Sequence, residues 1–152
     1  MTIRVQREDF DVGAEIAALS AGNHRIGGLT SFTGLVRNMG ASLGAMTLEH
    51  YPGMTEKMLA AIDAQAHERW PLEASLIIHR YGRLEPGDRI VLVITASPHR
   101  DAAFDSCRFL IDWLKTKAPF WKLEESADGG ERWVAAKASD DHAAARWAKN
   151  EG

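Results

Sequence analysis

The sequence predicts an α+β fold, and three observations support this prediction. Helical and strand-like segments alternate irregularly along the 152 residues, unlike the regular βαβ order of a doubly wound sheet. Turn signals between β-branched runs indicate hairpins, and the glycines form neither a GxGxxG nor a Walker A pattern. The length fits a single domain, residues 1–152, whose core needs neither a disulfide nor a structural metal.

The individual elements follow from apolar spacing and from capping and turn residues. Asp11 is a candidate N-cap for the first helix, and Gly22 is a candidate stop. Alternating or β-branched runs predict strands over residues 2–7, 27–36, 45–51, 74–81, 89–97, 120–125 and 132–137. Helical spacing predicts helices over residues 11–21, 54–70 and 101–117, and a short terminal helix within 139–152 that ends in a frayed tail. The glycine-rich segment 38–44 is a predicted loop.

The strongest helix prediction, residues 101–117, has clearly separated faces. The apolar face is predicted to contain Ala103, Phe104, Cys107, Leu110, Ile111 and Leu114. The opposite, solvent face is predicted to contain Asp101, Asp105, Arg108, Asp112 and Lys115. Cys107 is the only cysteine, so an intrachain disulfide, a CxxC redox pair and a multi-cysteine metal site are excluded. Its place on the apolar face predicts a buried, protonated and unreactive thiol.

Composition and charge exclude several functional classes. The net charge of −3 argues against a general nucleic-acid binder, which normally carries a basic excess. No run of 18 apolar residues and no secretory signal is present, so we expect a cytoplasmic protein without a membrane partner. There is no HExxH or paired-histidine zinc motif, and we expect neither a metal ion nor a cofactor.

Basic residues are the candidate functional groups. Between residues 99 and 122, five Lys or Arg stand against three Asp, a local charge of +2. His99 and Arg100 precede a helix start, a position that suits an anion but equally suits a solvated strand–helix corner. Arg37 ends a predicted strand, where it is either a phosphate clamp or a simple surface arginine.

Two lysines bracket the end of the same helix. Lys115 lies in the last turn of the predicted helix, where its positive charge complements the helix dipole. This structural role alone would explain a lysine at that position. Lys122 lies among aromatic residues, where partial desolvation lowers the pKa of an amine and frees it for proton transfer or acyl attack. A surface role remains the alternative for both. His50 is either a packed strand residue or a ligand contact, and its spacing does not separate the two.

Five segments of the chain occur together in a distinctive order and spacing. They are Phe32-Thr33-Gly34-Leu35-Val36-Arg37-Asn38, Leu48-Glu49-His50-Tyr51-Pro52-Gly53-Met54, Ile78-His79-Arg80-Tyr81-Gly82, His99-Arg100 and Leu114-Lys115-Thr116-Lys117-Ala118-Pro119-Phe120-Trp121-Lys122. Together they resemble the large, catalytic subunit of molybdopterin synthase. The resemblance extends from about residue 3 to residue 147. It implies an α/β hammerhead-type fold with an additional antiparallel sheet, and a homodimer of large subunits within a heterotetramer.

The resemblance also implies a partner and a reaction. Each end of the dimer would bind a small ubiquitin-like subunit whose C-terminal Gly-Gly carries a thiocarboxylate. Its sulfur would be inserted into cyclic pyranopterin monophosphate, or precursor Z, to form the dithiolene of molybdopterin. By this resemblance Lys115 and Lys122 are catalytic, and Arg37, His99 and Arg100 contact the substrate.

Four positions depart from the family pattern. Leu35 and Leu123 replace usual basic residues, and Pro98 replaces a frequent alanine. Lys137 lies near a usual arginine that reaches the neighbouring subunit's pocket, and lysine keeps the charge but loses the bidentate fork. The alternative function is a non-catalytic anion-binding scaffold that docks a partner protein's tail. A third reading, a nucleic-acid binder, would show steeply salt-dependent binding to oligonucleotides. The net charge of −3 disfavours this reading.

Overall fold

The computed structural model describes residues 2–37, 43–126, 131–134, 145 and 147. Within these ranges the chain forms eight strands and three helices. The strands are β1 (Thr2–Gln6), β2 (Gly28–Leu35), β3 (Leu43–His50), β4 (Ala74–Arg80), β5 (Gly82–Leu84), β6 (Arg89–Ser97), β7 (Phe120–Ser126) and β8 (Glu131–Val134). The helices are α1 (Val12–Ser20), α2 (Met54–Arg69) and α3 (Arg100–Thr116).

The strands form two four-stranded sheets, which confirms the predicted α+β class. The first sheet has the order β1-β4-β6-β2, with β1 parallel to β4 and the other pairs antiparallel. The second sheet, β5-β3-β7-β8, is antiparallel throughout. Gly34 of β2 and His79 of β4 both lie opposite Val91 of β6. The C-terminal ends of β2 and β4 therefore lie at the same end of the first sheet.

The core lies on both faces of the first sheet. Strands β4 and β6 are buried on both faces, which explains their continuous runs of aliphatic residues. Helices α2 and α3 cover one face, where Leu59, Ile77 and Leu110 belong to the larger cluster. Helix α1 covers the other face, where Ile78 and Phe10 belong to a smaller cluster.

The helix starts and ends agree closely with the predictions. The side chain of Asp11 accepts a hydrogen bond from the backbone N–H of Ala14 at 3.0 Å, so Asp11 is the N-cap of α1. Gly22 adopts a positive φ of 73° just beyond this helix, a conformation that glycine adopts at little cost. No helix among the described residues is long and apolar enough to span a membrane.

The predicted faces of α3 are wrong at two positions. The side chain of Phe104 is 59% exposed, whereas Asp112 is only 8% exposed. Asp112 is buried because its Oδ2 accepts a hydrogen bond from Nε1 of Trp147 at 2.6 Å. The contact spans 35 residues of sequence, so helical periodicity could not reveal it. Phe109, which the predicted apolar face omitted, packs edge to face against Trp70 and Trp147.

One strand was not predicted. Residues Gly82–Leu84 form β5, which pairs with β3 in the second sheet. The sequence shows only a turn signal after residue 84, and a three-residue strand is too short to show a period. The predicted loop at 38–44 lies largely outside the described residues, and its last two residues belong to β3 instead. Most of the predicted terminal helix also lies outside the described residues.

Candidate active site

The two candidate catalytic lysines come from adjoining elements. Lys115 is exposed in the last turn of α3, and Lys122 is half-buried in β7, opposite Leu48 of β3. Helix α3 ends where the backbone N–H of Lys117 bonds to Trp113, and β7 begins three residues later at Phe120. The charges of both lysines act on one buried side chain, that of His79.

His79 lies near the end of β4 and is 7% exposed. Its ring stacks on the ring of Phe120, with 3.7 Å between centroids and 17° between planes. Its Nδ1 lies 2.8 Å from the backbone carbonyl oxygen of Arg80. Because a carbonyl only accepts, Nδ1 carries the ring's proton in the neutral imidazole.

The surroundings of His79 keep it uncharged. Burial is the main cause that lowers its pKa from 6.5 to about 4, and the hydrogen bond to Arg80 opposes this only in part. The nearby charges of Lys115, Lys122 and His50 lower its pKa further. Lys115, Lys122 and His50 therefore belong to the electrostatic surroundings of the His79 ring.

His50 and Tyr81 complete an aromatic cluster, which we define as His50, His79, Tyr81 and Phe120. The ring of His50 lies 4.4 Å from that of Tyr81 and 6.0 Å from that of Phe120. Nδ1 of His50 lies 3.1 Å from Oγ1 of Thr55, whose own hydroxyl proton is donated to the Tyr51 carbonyl at 2.8 Å. Nδ1 is therefore the donor, and His50 is a packed strand residue held in one orientation.

His99 and Arg100 form a separate corner between β6 and α3. Both side chains are exposed, and His99 is the N-cap residue of α3 without a side-chain capping bond. The corner sits tightly on the start of β2. A Cβ added to Gly27 would lie 2.0 Å from the carbonyl oxygen of Pro98, and one added to Gly28 would lie 3.3 Å from Cα of Arg100. The two glycines therefore let β2 approach the exposed His99–Arg100 corner.

Arg37 lies at the opposite end of β2 from this corner. It is exposed and directly follows Val36, whose backbone bonds to Asp88 and Gly87 at 2.8 Å each. Because β2 and α3 start together at Gly28 and Arg100, Arg37 lies toward the lysine end of the molecule. Lys115 is about 22 Å along α3 from Arg100.

The structure thus brings together only part of the predicted site. The charges of Lys115 and Lys122 both act on His79 of the aromatic cluster. Arg37 follows β2 at the end of the first sheet where β4 also ends. His99 and Arg100 lie at the far end of α3. Lys137 falls outside the described residues. The sequence analysis did not identify His79 as a candidate site residue. A histidine within an aliphatic strand has the same pattern as a buried core residue.

Cys107 is confirmed as a structural residue. It is 4% exposed, and burial raises the pKa of its thiol to about 12. Among the described residues, no group of three or more His, Cys, Asp or Glu side chains is arranged to hold a metal ion.

The buried His79 predicts a specific acid sensitivity. A histidine with a lowered folded-state pKa binds a proton in the unfolded chain below pH 6.5 but not in the folded chain until about pH 4. Stability should therefore fall by roughly 3 kcal/mol as the pH drops through this window. His79→Phe should lack this component, which urea unfolding at pH 7 and at pH 4.5 would measure. An equal loss of stability in both proteins would contradict the assignment.

Comparisons with known proteins cover nearly the whole chain. The family model described as "MoaE protein" matches residues 5–117. A molybdopterin synthase catalytic subunit from Mesorhizobium japonicum is 54% identical over 147 residues, which is 96% of this chain and 92% of the relative. The structure is similar to the molybdopterin biosynthesis MoaE protein from Burkholderia ambifaria MC40-6 (56% identity, TM-score 0.82, 97% and 98% of the two chains). It is also similar to molybdopterin synthase from Staphylococcus aureus (30% identity, TM-score 0.79, 87% and 96% of the two chains).

Proposed function

The chain belongs to the MoaE family, and from this premise we propose that it is the catalytic subunit of a molybdopterin synthase, a sulfurtransferase. Its substrate is the cyclic pyranopterin monophosphate, and its sulfur donor is the C-terminal thiocarboxylate of a small ubiquitin-like subunit. The observation that carries the proposal is the placement of Lys115 in the last turn of α3 and of Lys122 in β7, two residues after the Phe120 that stacks on His79, in a chain whose only thiol is buried. In this proposal the sulfur therefore comes from a partner.

We assign the two amines different tasks. Lys115 is exposed and can reach a peptide tail, so either its ammonium stabilises the thiocarboxylate carbonyl or its deprotonated amine accepts the acyl group transiently. Lys122 is half-buried beside an aromatic cluster, which suits proton transfer during opening of the cyclic phosphate and loss of oxygen from the pterin side chain. In each transfer the thiocarboxylate sulfur forms a bond to a pterin side-chain carbon. Water then cleaves the acyl–sulfur bond, directly or through acyl-Lys115, which leaves the sulfur on the pterin and a carboxylate on the small subunit.

The separation of the basic residues favours a site shared between two copies of the chain. His99 and Arg100 lie about 22 Å along α3 from Lys115, too far to contact the same small substrate. A homodimer can bring the His99–Arg100 corner of one copy to the lysine end of the other. In this proposed arrangement, Arg37 from one copy and His99 and Arg100 from the other are the phosphate contacts, with Lys137 as a further contact from the neighbouring copy.

The full assembly in this proposal is a heterotetramer of two such chains and two small subunits in the cytoplasm. Each chain acts as one domain, residues 1–152, without a bound metal ion or cofactor. The scaffold alternative differs in one respect, because it would bind the partner's tail without producing a dithiolene.

One assay tests the proposal directly. The purified chain is mixed with precursor Z and a small subunit that ends in either a thiocarboxylate or a carboxylate, and the dithiolene product is measured. Product should form only with the thiocarboxylate form, at two sulfurs per pterin. Binding of the small subunit without any product would favour the scaffold.

A further inference from the structure

We propose that His79 is a positioning residue for the lysine pair: its ring, stacked on Phe120, holds the start of β7 and so sets where Lys122 lies relative to Lys115. This inference rests on the proposed function, because it assumes that the two amines act together on the reacting groups. His79 itself need not touch the substrate.

The stack connects the two sheets at the start of the strand that carries Lys122. His79 belongs to β4 of the first sheet, and Phe120 is the first residue of β7 in the second. Phe120 pairs with His50 at the end of the β3–β7 ladder, where a strand would otherwise fray. Because side chains alternate along a strand, Phe120 and Lys122 lie on the same face of β7. A displacement of the Phe120 ring would therefore be passed to Lys122.

The position of the His79 ring is itself well determined. The hydrogen bond from Nδ1 to the Arg80 carbonyl fixes the ring's rotation, and the near-parallel stack at 3.7 Å fixes its plane. Its register partners in the first sheet, Val5 of β1 and Val91 of β6, are apolar. The His79 ring therefore packs in a fixed position between the first sheet and the strand that carries Lys122.

The imidazole of His79 must also be uncharged to act in this way. The ionisable groups that act on His79 are Lys115 from α3, Lys122 from β7 and His50 from β3. A protonated imidazole here would add a cation beside two amines and disfavour their ammonium forms by the same interaction. A neutral ring supplies a flat stacking surface and a hydrogen-bond donor without that charge.

A double-mutant cycle on the complete enzyme tests the proposal. His79→Leu and Phe120→Leu each remove one partner of the stack, and each should lower kcat by about tenfold to a hundredfold through misplacement of Lys122. Since both act through the same contact, the double variant should be no slower than the slower single variant. The affinity for the small subunit and the KM for precursor Z should change little. His79→Phe keeps an aromatic ring and should recover most of kcat.

The control is Ile78→Val on the same strand, because Ile78 faces the other core cluster and is fully buried. It should lower the unfolding midpoint but leave kcat unchanged. Three results would overturn the proposal: normal kcat in folded His79→Leu, no recovery in His79→Phe, or multiplied losses in the double variant. Should Lys122→Ala retain full turnover, the proposed function fails; should it lose turnover while His79→Leu does not, only this inference fails.

Discussion

Lys122→Ala is expected to lower kcat for dithiolene formation by about 10²- to 10³-fold, as removal of one preorganised charged group typically does. Lys115→Ala is expected to have an effect of the same order. Both variants should fold, because Lys115 is exposed and Lys122 only half-buried. The measurement is single-turnover conversion of precursor Z with a thiocarboxylated small subunit, together with the affinity for that subunit.

Charge-preserving substitutions distinguish chemistry from docking. A guanidinium keeps the positive charge but does not lose its proton in a protein, so Lys122→Arg should remain slow if the amine transfers a proton. The exposed Lys57 of α2 provides a matched control, because Lys57→Ala removes the same charge elsewhere on the surface. Near-normal turnover in both lysine-to-alanine variants would rule out the assigned roles.

Among the glycines that the structure describes, Gly27 is the one whose replacement by alanine is expected to have the largest structural effect. The added Cβ would lie 2.0 Å from the Pro98 carbonyl oxygen and 3.0 Å from its carbonyl carbon, both backbone atoms. The corner must move to relieve this clash, at a cost of about 1–3 kcal/mol or more. The hydrogen bond from the Gly27 N–H to the Ser97 carbonyl, 2.9 Å long, would be disturbed as well.

This substitution should also weaken substrate binding, because His99 and Arg100 directly follow Pro98. Urea unfolding and the KM for precursor Z are the two measurements. Gly13→Ala is the control: its Cβ would meet only Oδ1 of Asp11 at 3.6 Å, an ordinary contact. Alanine within α1 should raise stability by about 0.5–1 kcal/mol. If Gly27→Ala unfolded at the same urea concentration as the original chain, the close approach would not be a constraint.

Local signals predicted most of the fold. The Asp11 cap, the alternation before His50 and the aliphatic runs of β4 and β6 depend on neighbouring residues, and these elements are confirmed. The errors lie where a distant contact overrides the local pattern. Asp112 is buried by Trp147, and β5 exists only because β3 lies beside it.

The candidate site was also predictable only in part, because some of its features depend on neighbouring residues and others on distant contacts. Lys115 and Lys122 flank one helix end, so their proximity could be expected from spacing alone. The role of His79 depends on Phe120, which is brought to it by the packing of two sheets. The separation of Arg100 from Lys115 depends on the direction of α3 in space, and a list of basic residues contains no such information.

The length of α3 has a genetic consequence. If the site is shared between two copies as proposed, a defect at His99 and a defect at Lys115 in the same chain damage different sites. A mixed dimer of a His99-defective chain and a Lys115-defective chain then holds one site with both defects and one with neither. Two inactive alleles could complement each other, because the helix separates their lesions.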